Sequence, residues 1–297
     1  MNKVLWGVDL GGTKIEGIIL QEESSPSPLC RIRIPTEAEK GYDHILHQIE
    51  TLIREMKKSS KINPSQIGIG TPGTLDPENN LLKNSNTTCL IGKPLQADLC
   101  TQLGIPVHIG NDANCFTLAE ARWGAGKGAQ TVFGIILGTG VGGGIVFQGK
   151  TVIGKHGIAG EWGHNSLDRQ GPDCYCGQVG CVETMISGPA LEEYYRTQTG
   201  NRMPLAEISN LVDSDSAAGK TMERLTTNFG KALAPVINIL DPDIIVLGGG
   251  VSHIEALYTE GPGEVQKHLF HPTLLTPVVR NKLGDSAGVF GAALLNS

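Results

Sequence analysis

The sequence predicts an α/β protein of two lobes with a ligand cleft between them. Three observations carry that prediction. At 297 residues the chain is longer than one compact core usually supports. Short apolar strands alternate with helical patterns along most of it. A strand, glycine-rich turn, strand design occurs at Val4–Leu20 and again at Thr131–Phe147, as a duplicated fold would show.

Taken in order, Val4–Val8 reads as a strand that turns at Gly11-Gly12 and resumes at Ile15–Leu20. Tyr42–Lys57 carries Ile45, Leu46, Ile49, Leu52, Ile53 and Met56 at helical spacing. A short strand, Ile67–Ile69, ends at Thr71-Pro72-Gly73, and another, Val107–Ile109, closes at Gly110-Asn111-Asp112 before a helix over Ala113–Trp123. Strands at Thr131–Leu137 and Gly144–Phe147 flank the second glycine turn. From Gly188 onward helices dominate, apart from a strand at Asp243–Leu247 that runs into Gly248-Gly249-Gly250, and a small-residue helix begins at Ser286. The expected division is a small α/β lobe of residues 1–115 plus 286–297 and a large α/β lobe of 116–285, with the crossing at Asp112–Ala125.

Composition narrows the function classes. Hydrophobic residues make up 39% and charged residues 18%, enough apolar material for a sizeable core. The net charge of -6, with no compensating block of Lys and Arg, argues against a nucleic-acid partner; Lys57-Lys58 reads as a solvated helix face. Asp9 and two glycines interrupt the first apolar stretch, so no secretory signal is expected. The uncharged stretch between Lys127 and Lys150 is broken by glycines and reads as strand, turn, strand instead of a membrane span. Seven cysteines, an odd number, fit a reduced, cytoplasmic compartment better than a disulfide framework.

Four motifs carry chemistry. Asp9-Leu10-Gly11-Gly12-Thr13-Lys14 lets backbone N–H groups approach phosphate oxygens, with Thr13 and Lys14 adding donors; the alternative is a plain tight turn. The Leu137–Gly144 loop, with Gly138, Thr139 and Gly140, is a second turn of that kind. A Rossmann unit is disfavoured because the first turn leads into a strand, and no Gly-Lys-Ser/Thr closes either turn as a Walker A loop requires. Asn111-Asp112 at a strand end offers either a general base for an attacking hydroxyl or a helix N-cap. His164 with Cys174, Cys176 and Cys181 supplies four ligands suited to a closed, structural Zn2+ site; the alternative is packed free thiols.

Together these stretches resemble the ROK family of sugar kinases and repressors, which share the two-lobed, actin-like (ribonuclease H-like) ATPase fold. The resemblance covers nearly the whole chain and rests on the Asp9 turn, Thr71-Pro72-Gly73, Asn111-Asp112-Ala113-Asn114, the Leu137–Gly144 loop, Glu161-Trp162-Gly163-His164, the cysteine cluster with Glu183, and Leu247-Gly248-Gly249-Gly250. It implies an ATP-dependent hexose kinase with its active site in the interdomain cleft. Asp112 would be the general base, and Gly73, Asn111, Glu161, His164 and Glu183 would hold the sugar beside it. Asp9, Gly11, Gly12, Thr13, Lys14, Gly138, Thr139 and Gly140 would face the ATP phosphates and their Mg2+, with adenine near Gly248, Gly249 and Gly250. His164 would serve both zinc and sugar, one ring nitrogen each. The resemblance also implies a homodimer.

For the substrate, Lys83–Thr88, Ala159–Asn165 and Pro172–Cys181 look most like bacterial fructokinases of the family, including those that also accept mannose. Leu95–Leu99 and Gly134–Thr139 are as similar to N-acetylglucosamine kinases, and a glucokinase is a further alternative. A sugar-responsive repressor would need a winged helix-turn-helix ahead of the first strand, which begins at about residue 3, and a basic surface. A non-catalytic sugar-binding module is the other rival, and retention of Asp112 speaks against it.

Overall fold

The computed structural model describes residues 4–21 and 27–295; the ends of the expected small lobe, residues 1–3 and 296–297, lie outside them. The chain divides into two units. The first holds residues up to Lys127, Gly149–Ala159 and Leu283 onward; the second holds Gly128–Gln148 and Gly160–Lys282. Residues 116–127 and 149–159 therefore group with the first unit and not with the large lobe expected for them. Elements are numbered along the whole chain.

In the first unit β1 (Val4–Leu10), β2 (Lys14–Gln21) and β3 (Pro28–Pro35) form an antiparallel meander, and β4 (Ile67–Thr71) and β7 (Val107–Asn111) add parallel strands in the order β3-β2-β1-β4-β7. One face carries Trp6, Val8, Leu10, Ile15, Ile19, Ile67 and Ile69, packed against Ile45, Ile49, Leu52 and Met56 of α1 (Tyr42–Ser60). Helix α2 (Leu95–Leu103) closes the same core with Leu95 and Leu99, and β5 (Thr74–Leu75) pairs with β6 (Leu82–Lys83).

The other face is built for close approach. Leu5, Gly7 and Asp9 alternate away from the apolar core, and a Cβ on Gly68 would collide with the carbonyl of Ala292 in α10 (Ala287–Leu294). Small residues thus seat α10 directly on the strands. The backbone at Gly291 in turn meets Cys115 of α3 (Asp112–Trp123) so tightly that no side chain fits between them. This contact along two unbroken helices explains why residues 116–123 stay with the first unit. The 149–159 segment opens with β10 (Lys150–Thr151) against α3.

Strand β3 was not foreseen. Its Ile32 and Ile34 pack on the core, while Arg31 and Arg33 turn to the α10 face and clasp Glu16, which is 1% exposed. Arg31 Nε and Arg33 Nε reach Glu16 at 2.5 and 2.9 Å, and Ser286 at the start of α10 bonds both arginines. Glu16→Gln removes the buried charge those half-exposed arginines share, so a stability loss of about 1–3 kcal/mol is expected in denaturant unfolding. An unchanged midpoint would reduce the cluster to a surface ion pair.

The second unit repeats the plan. Here β8 (Thr131–Leu137) and β9 (Val141–Phe147) form the hairpin, and β11 (Ile244–Gly248) and β12 (Val278–Arg280) continue in parallel in the order β9-β8-β11-β12. Leu137 pairs with Val141, so the second turn is only Gly138–Gly140 and β9 starts three residues earlier than expected. Helices α4 (Val182–Ile186), α5 (Gly188–Thr199), α6 (Leu205–Ser209), α7 (Ser216–Leu240), α8 (Ala256–Thr259) and α9 (Gly261–Gln266) cover this sheet. The 25-residue α7 is its spine, burying Met222, Leu225, Phe229, Leu233 and Ile237 along one side. Among the described residues no helix is long and apolar enough to cross a membrane.

Candidate active site

In the first unit the candidate residues gather at the carboxyl ends of β1, β4 and β7. Asp9 sits on β1 beside Gly70, and a methyl group on Gly288 of α10 would lie 3.4 Å from its Oδ2, so glycine keeps the space over this carboxylate open. Burial, then the charges of Asp112 and Glu16, push the Asp9 carboxyl up to about 7, with Lys14 opposing. Such a crowded acidic group is one that a hard divalent cation relieves, and this donor chemistry fits Mg2+. The adjoining turn is fastened by Gly11 N–H to Lys14 O at 3.0 Å and by Thr36, whose hydroxyl donates to Gly11 O at 2.6 Å. Gly12, Thr13 and Lys14 stay exposed. Thr36, on the chain after β3, could not be found from the motif.

Of the two readings the sequence left open for Asn111-Asp112, the helix N-cap is present, and Asn111 makes it. Asn111 has extended backbone and is the N-cap of α3, its Oδ1 accepting from Ala113 N–H at 2.9 Å and Asn114 N–H at 3.2 Å. Its Nδ2 donates to the Gly73 carbonyl at 3.1 Å, which ties Gly73 into the same cluster. Gly73 is buried with φ +89°, against Lys83 O and Ser85, where a side chain would be both strained and crowded. Asp112 is the first residue of α3, its Oδ1 accepting from Ala113 N–H at 2.8 Å.

In the second unit Glu161, His164 and Glu183 converge around the glycine loop. A short 3₁₀ turn, Trp162–His164, is pinned by the buried Trp162 indole, which donates to Gly142 O at 3.2 Å and stands edge-on to Phe133. Glu183, in the first turn of α4, accepts from Val141 N–H at 2.8 Å, and Gly140 must lack a side chain to let that carboxylate in. Burial and the charge of Glu183 raise the Glu161 carboxyl above its ordinary value, against the pull of His164.

The expected metal ligands do come together. His164, Cys174, Cys176 and Cys181 place one ligand atom each within 4.8 Å of the others. His164 Nδ1 lies 3.6 Å from Cys174 Sγ, and Cys176 Sγ lies 3.6 Å from Cys181 Sγ. A tetrahedral zinc with bonds of about 2.0–2.3 Å separates its ligands by about 3.5–3.8 Å, so the donor set fits. Burial, then hydrogen bonds from Cys176 and Cys174, push the Cys181 thiol up to about 12. Three thiols this close cannot all ionise without a cation among them. One neighbour escaped notice: the hydroxyl of Tyr175 is 3.1 Å from His164 Nε2.

Gly138, Thr139 and Gly250 line one cavity of about 540 Å³, bounded on its far side by Pro189 and Glu192 of α5 and Leu205 of α6. Gly248 instead ends β11, and Gly249 (φ +82°) packs on the backbone of Leu137. Pro189, Glu192 and Leu205 carried no sequence signal because helical residues with apolar or acidic side chains have no distinctive spacing toward a cavity.

Comparison with known proteins places this arrangement. The ROK family model matches residues 5–297. The N-acetyl-D-glucosamine kinase of Vibrio cholerae is 36% identical over 302 residues, covering 98% of this chain and 99% of that protein. Among solved structures, a ROK hexokinase from Thermus thermophilus superposes with a TM-score of 0.88 at 30% identity, covering 99% of this chain and 97% of that one. A ROK family glucokinase from Streptomyces griseus, in complex with glucose and AMPPNP, gives 0.82 at 29% identity with 99% of each chain covered. The chain belongs to the ROK family. Within it, the chain is an ATP-dependent sugar kinase with the actin-like, two-lobed α/β fold. These relatives back the N-acetylglucosamine alternative better than the fructose reading drawn from local wording.

Proposed function

We propose that this kinase transfers the γ-phosphoryl group of Mg·ATP to N-acetyl-D-glucosamine, with glucose the second candidate. The observation that carries the reading is the end-to-end likeness, 36% identity over 98% of this chain, to the N-acetyl-D-glucosamine kinase of Vibrio cholerae. Asp112 accepts the proton of the attacking sugar hydroxyl. Asn111 stands next to it with one Nδ2 hydrogen committed to Gly73 and a second to offer the sugar. Glu161 and Glu183 accept hydrogen bonds from sugar hydroxyls, and His164, its Nδ1 facing the thiols, borders the sugar on its Nε2 side.

The exposed Gly12-Thr13-Lys14 turn and the Gly138–Gly140 loop bind phosphate oxygens, and the cavity at Gly138, Thr139 and Gly250 takes the nucleoside. Mg2+, held near Asp9, supplies charge neutralisation on the phosphates. Zn2+ on His164 and the three cysteines orders the loop that carries the sugar ligands. The test is coupled ATP turnover on N-acetylglucosamine, glucose, fructose, mannose and N-acetylmannosamine, compared by kcat/KM. N-acetylglucosamine is expected to lead. A lead by fructose would restore the reading from local wording, and turnover of none would return the chain to a binding module.

A further inference from the structure

We propose that Tyr175 is a further residue of the acceptor-sugar site, its hydroxyl donating a hydrogen bond to the sugar alongside His164. The inference rests on the sugar-kinase reading of the site. Tyr175 stands between two of the four metal-binding candidates, Cys174 and Cys176. Cys174 and Cys181 are buried, yet the Tyr175 ring is 70% exposed, an unusual position for so large an apolar surface unless something covers it. It stands at a right angle to the His164 imidazole, with centroids 5.2 Å apart, and the apolar C–H faces of a hexose are suited to pack on its exposed surface.

The hydroxyl adds direction. It lies 3.1 Å from His164 Nε2, while Nδ1 faces Cys174 Sγ. With Nδ1 turned to the thiols, Nε2 is the ring nitrogen left to donate, a role assigned from its partners. Nε2–H then donates to the tyrosine oxygen, and the phenol keeps its own O–H to donate onward. The other proposed sugar ligands of this unit include Glu161 and Glu183. As carboxylates they accept only, whereas a sugar also presents oxygens that need donors. Tyr175 supplies such a donor.

The proposal is tested with Tyr175→Phe, which keeps the ring and removes the donor, on whichever sugar the wild type turns over best. Sugar binding by calorimetry without ATP and the KM for sugar are both expected to weaken about 3- to 10-fold, as for one lost neutral hydrogen bond, with kcat within twofold and KM for ATP unchanged. Metal content by elemental analysis is expected to equal that of the wild type. Sugar affinity within 1.5-fold of wild type, or tighter, would overturn the inference and leave the kinase reading standing, since that reading is judged on the wild type's own sugar panel. Loss of the metal in the variant would overturn it too, by showing that Tyr175 serves the loop and not the sugar.

Discussion

Asp112→Asn is expected to lower kcat by about 10²–10⁴-fold while sugar binding and the fold persist. The fold persists because Asn111, not Asp112, caps α3, and because an asparagine Oδ1 can still accept from Ala113 N–H as Asp112 Oδ1 does at 2.8 Å. The hydrogen bond between Asn111 and Gly73, the sugar-binding residues proposed above, does not involve residue 112 and is likewise untouched. One side effect runs in the opposite direction to the expected loss. The charge of Asp112 is among the causes that hold the Asp9 carboxyl up near 7, so removing it lets Asp9 ionise more readily and favours a cation there. A drop in kcat therefore cannot be laid on a weakened Mg2+ site. Single-turnover phosphoryl transfer with calorimetric sugar binding checks both halves, and a variant that kept half of wild-type kcat would remove Asp112 from the role of base.

What could be read in the sequence was the set of features whose residue type is itself the function. Glycine turns show as glycines, and both lie where a strand-turn-strand reading puts them, at Gly11-Gly12 and Gly138–Gly140. Clustered thiols show as cysteines, and the three are brought to His164. Asn111-Asp112 was legible as a pair but not as a division of labour. Both residue types cap helices well, and only the extended backbone at Asn111 decides which one does so here. Strand β3 was hidden because what holds it is remote in sequence. Arg31 and Arg33 look like ordinary surface charge until Glu16, fifteen residues before Arg31, and Ser286, at the far end of the chain, are brought beside them. The expected domain border failed for a related reason, since the contact that keeps all of α3 in the first unit joins Cys115 to Gly291.

Sugar preference was the least legible feature. Leu95 and Leu99, in the segment that resembles N-acetylglucosamine kinases, are core residues of α2, and Gly134–Leu137 lies within β8. Their likeness reflects the packing of a shared fold. The segments that resemble fructokinases include the cysteine loop, where much of the wording is fixed by turn geometry and by the clustering of the thiols: Gly177 and Gly180 have positive φ, and Gly180 also packs on the backbone of Asp168. Residues conscripted to build a loop say little about which sugar it faces. Likeness over the whole chain averages over such local constraints, and the relatives 36% identical over 98% of this chain include N-acetyl-D-glucosamine kinases.

On the proposed zinc site, Cys181→Ser is expected to abolish metal binding and, with it, most of the sugar affinity. Cys181 is buried, precedes α4 as its N-terminal flank, and stands two residues before Glu183. Its Sγ lies 3.6 Å from Cys176 Sγ, and its backbone carbonyl accepts from the Thr184 hydroxyl at 2.8 Å. Removing one ligand from a closed four-ligand site should weaken metal binding by more than the roughly 10–100-fold that losing a mere outer partner costs. Purified wild type is expected to hold about one zinc per chain and the variant close to none, by elemental analysis without chelator. Because His164 is held between the thiols and Tyr175, freeing Nδ1 lets the ring turn away from the sugar. The KM for sugar is therefore expected to rise at least about tenfold, with a smaller change in KM for ATP because no cysteine lines the cavity at Gly138, Thr139 and Gly250. Cys89→Ser, a thiol outside the cluster, is the control and should leave metal content at the wild-type value. If the wild type itself carried no zinc and its sugar affinity were indifferent to a chelator, the 3.6 Å spacing of the thiols would be packing, and the order of the sugar loop would have to come from Trp162 and the Glu183–Val141 hydrogen bond alone.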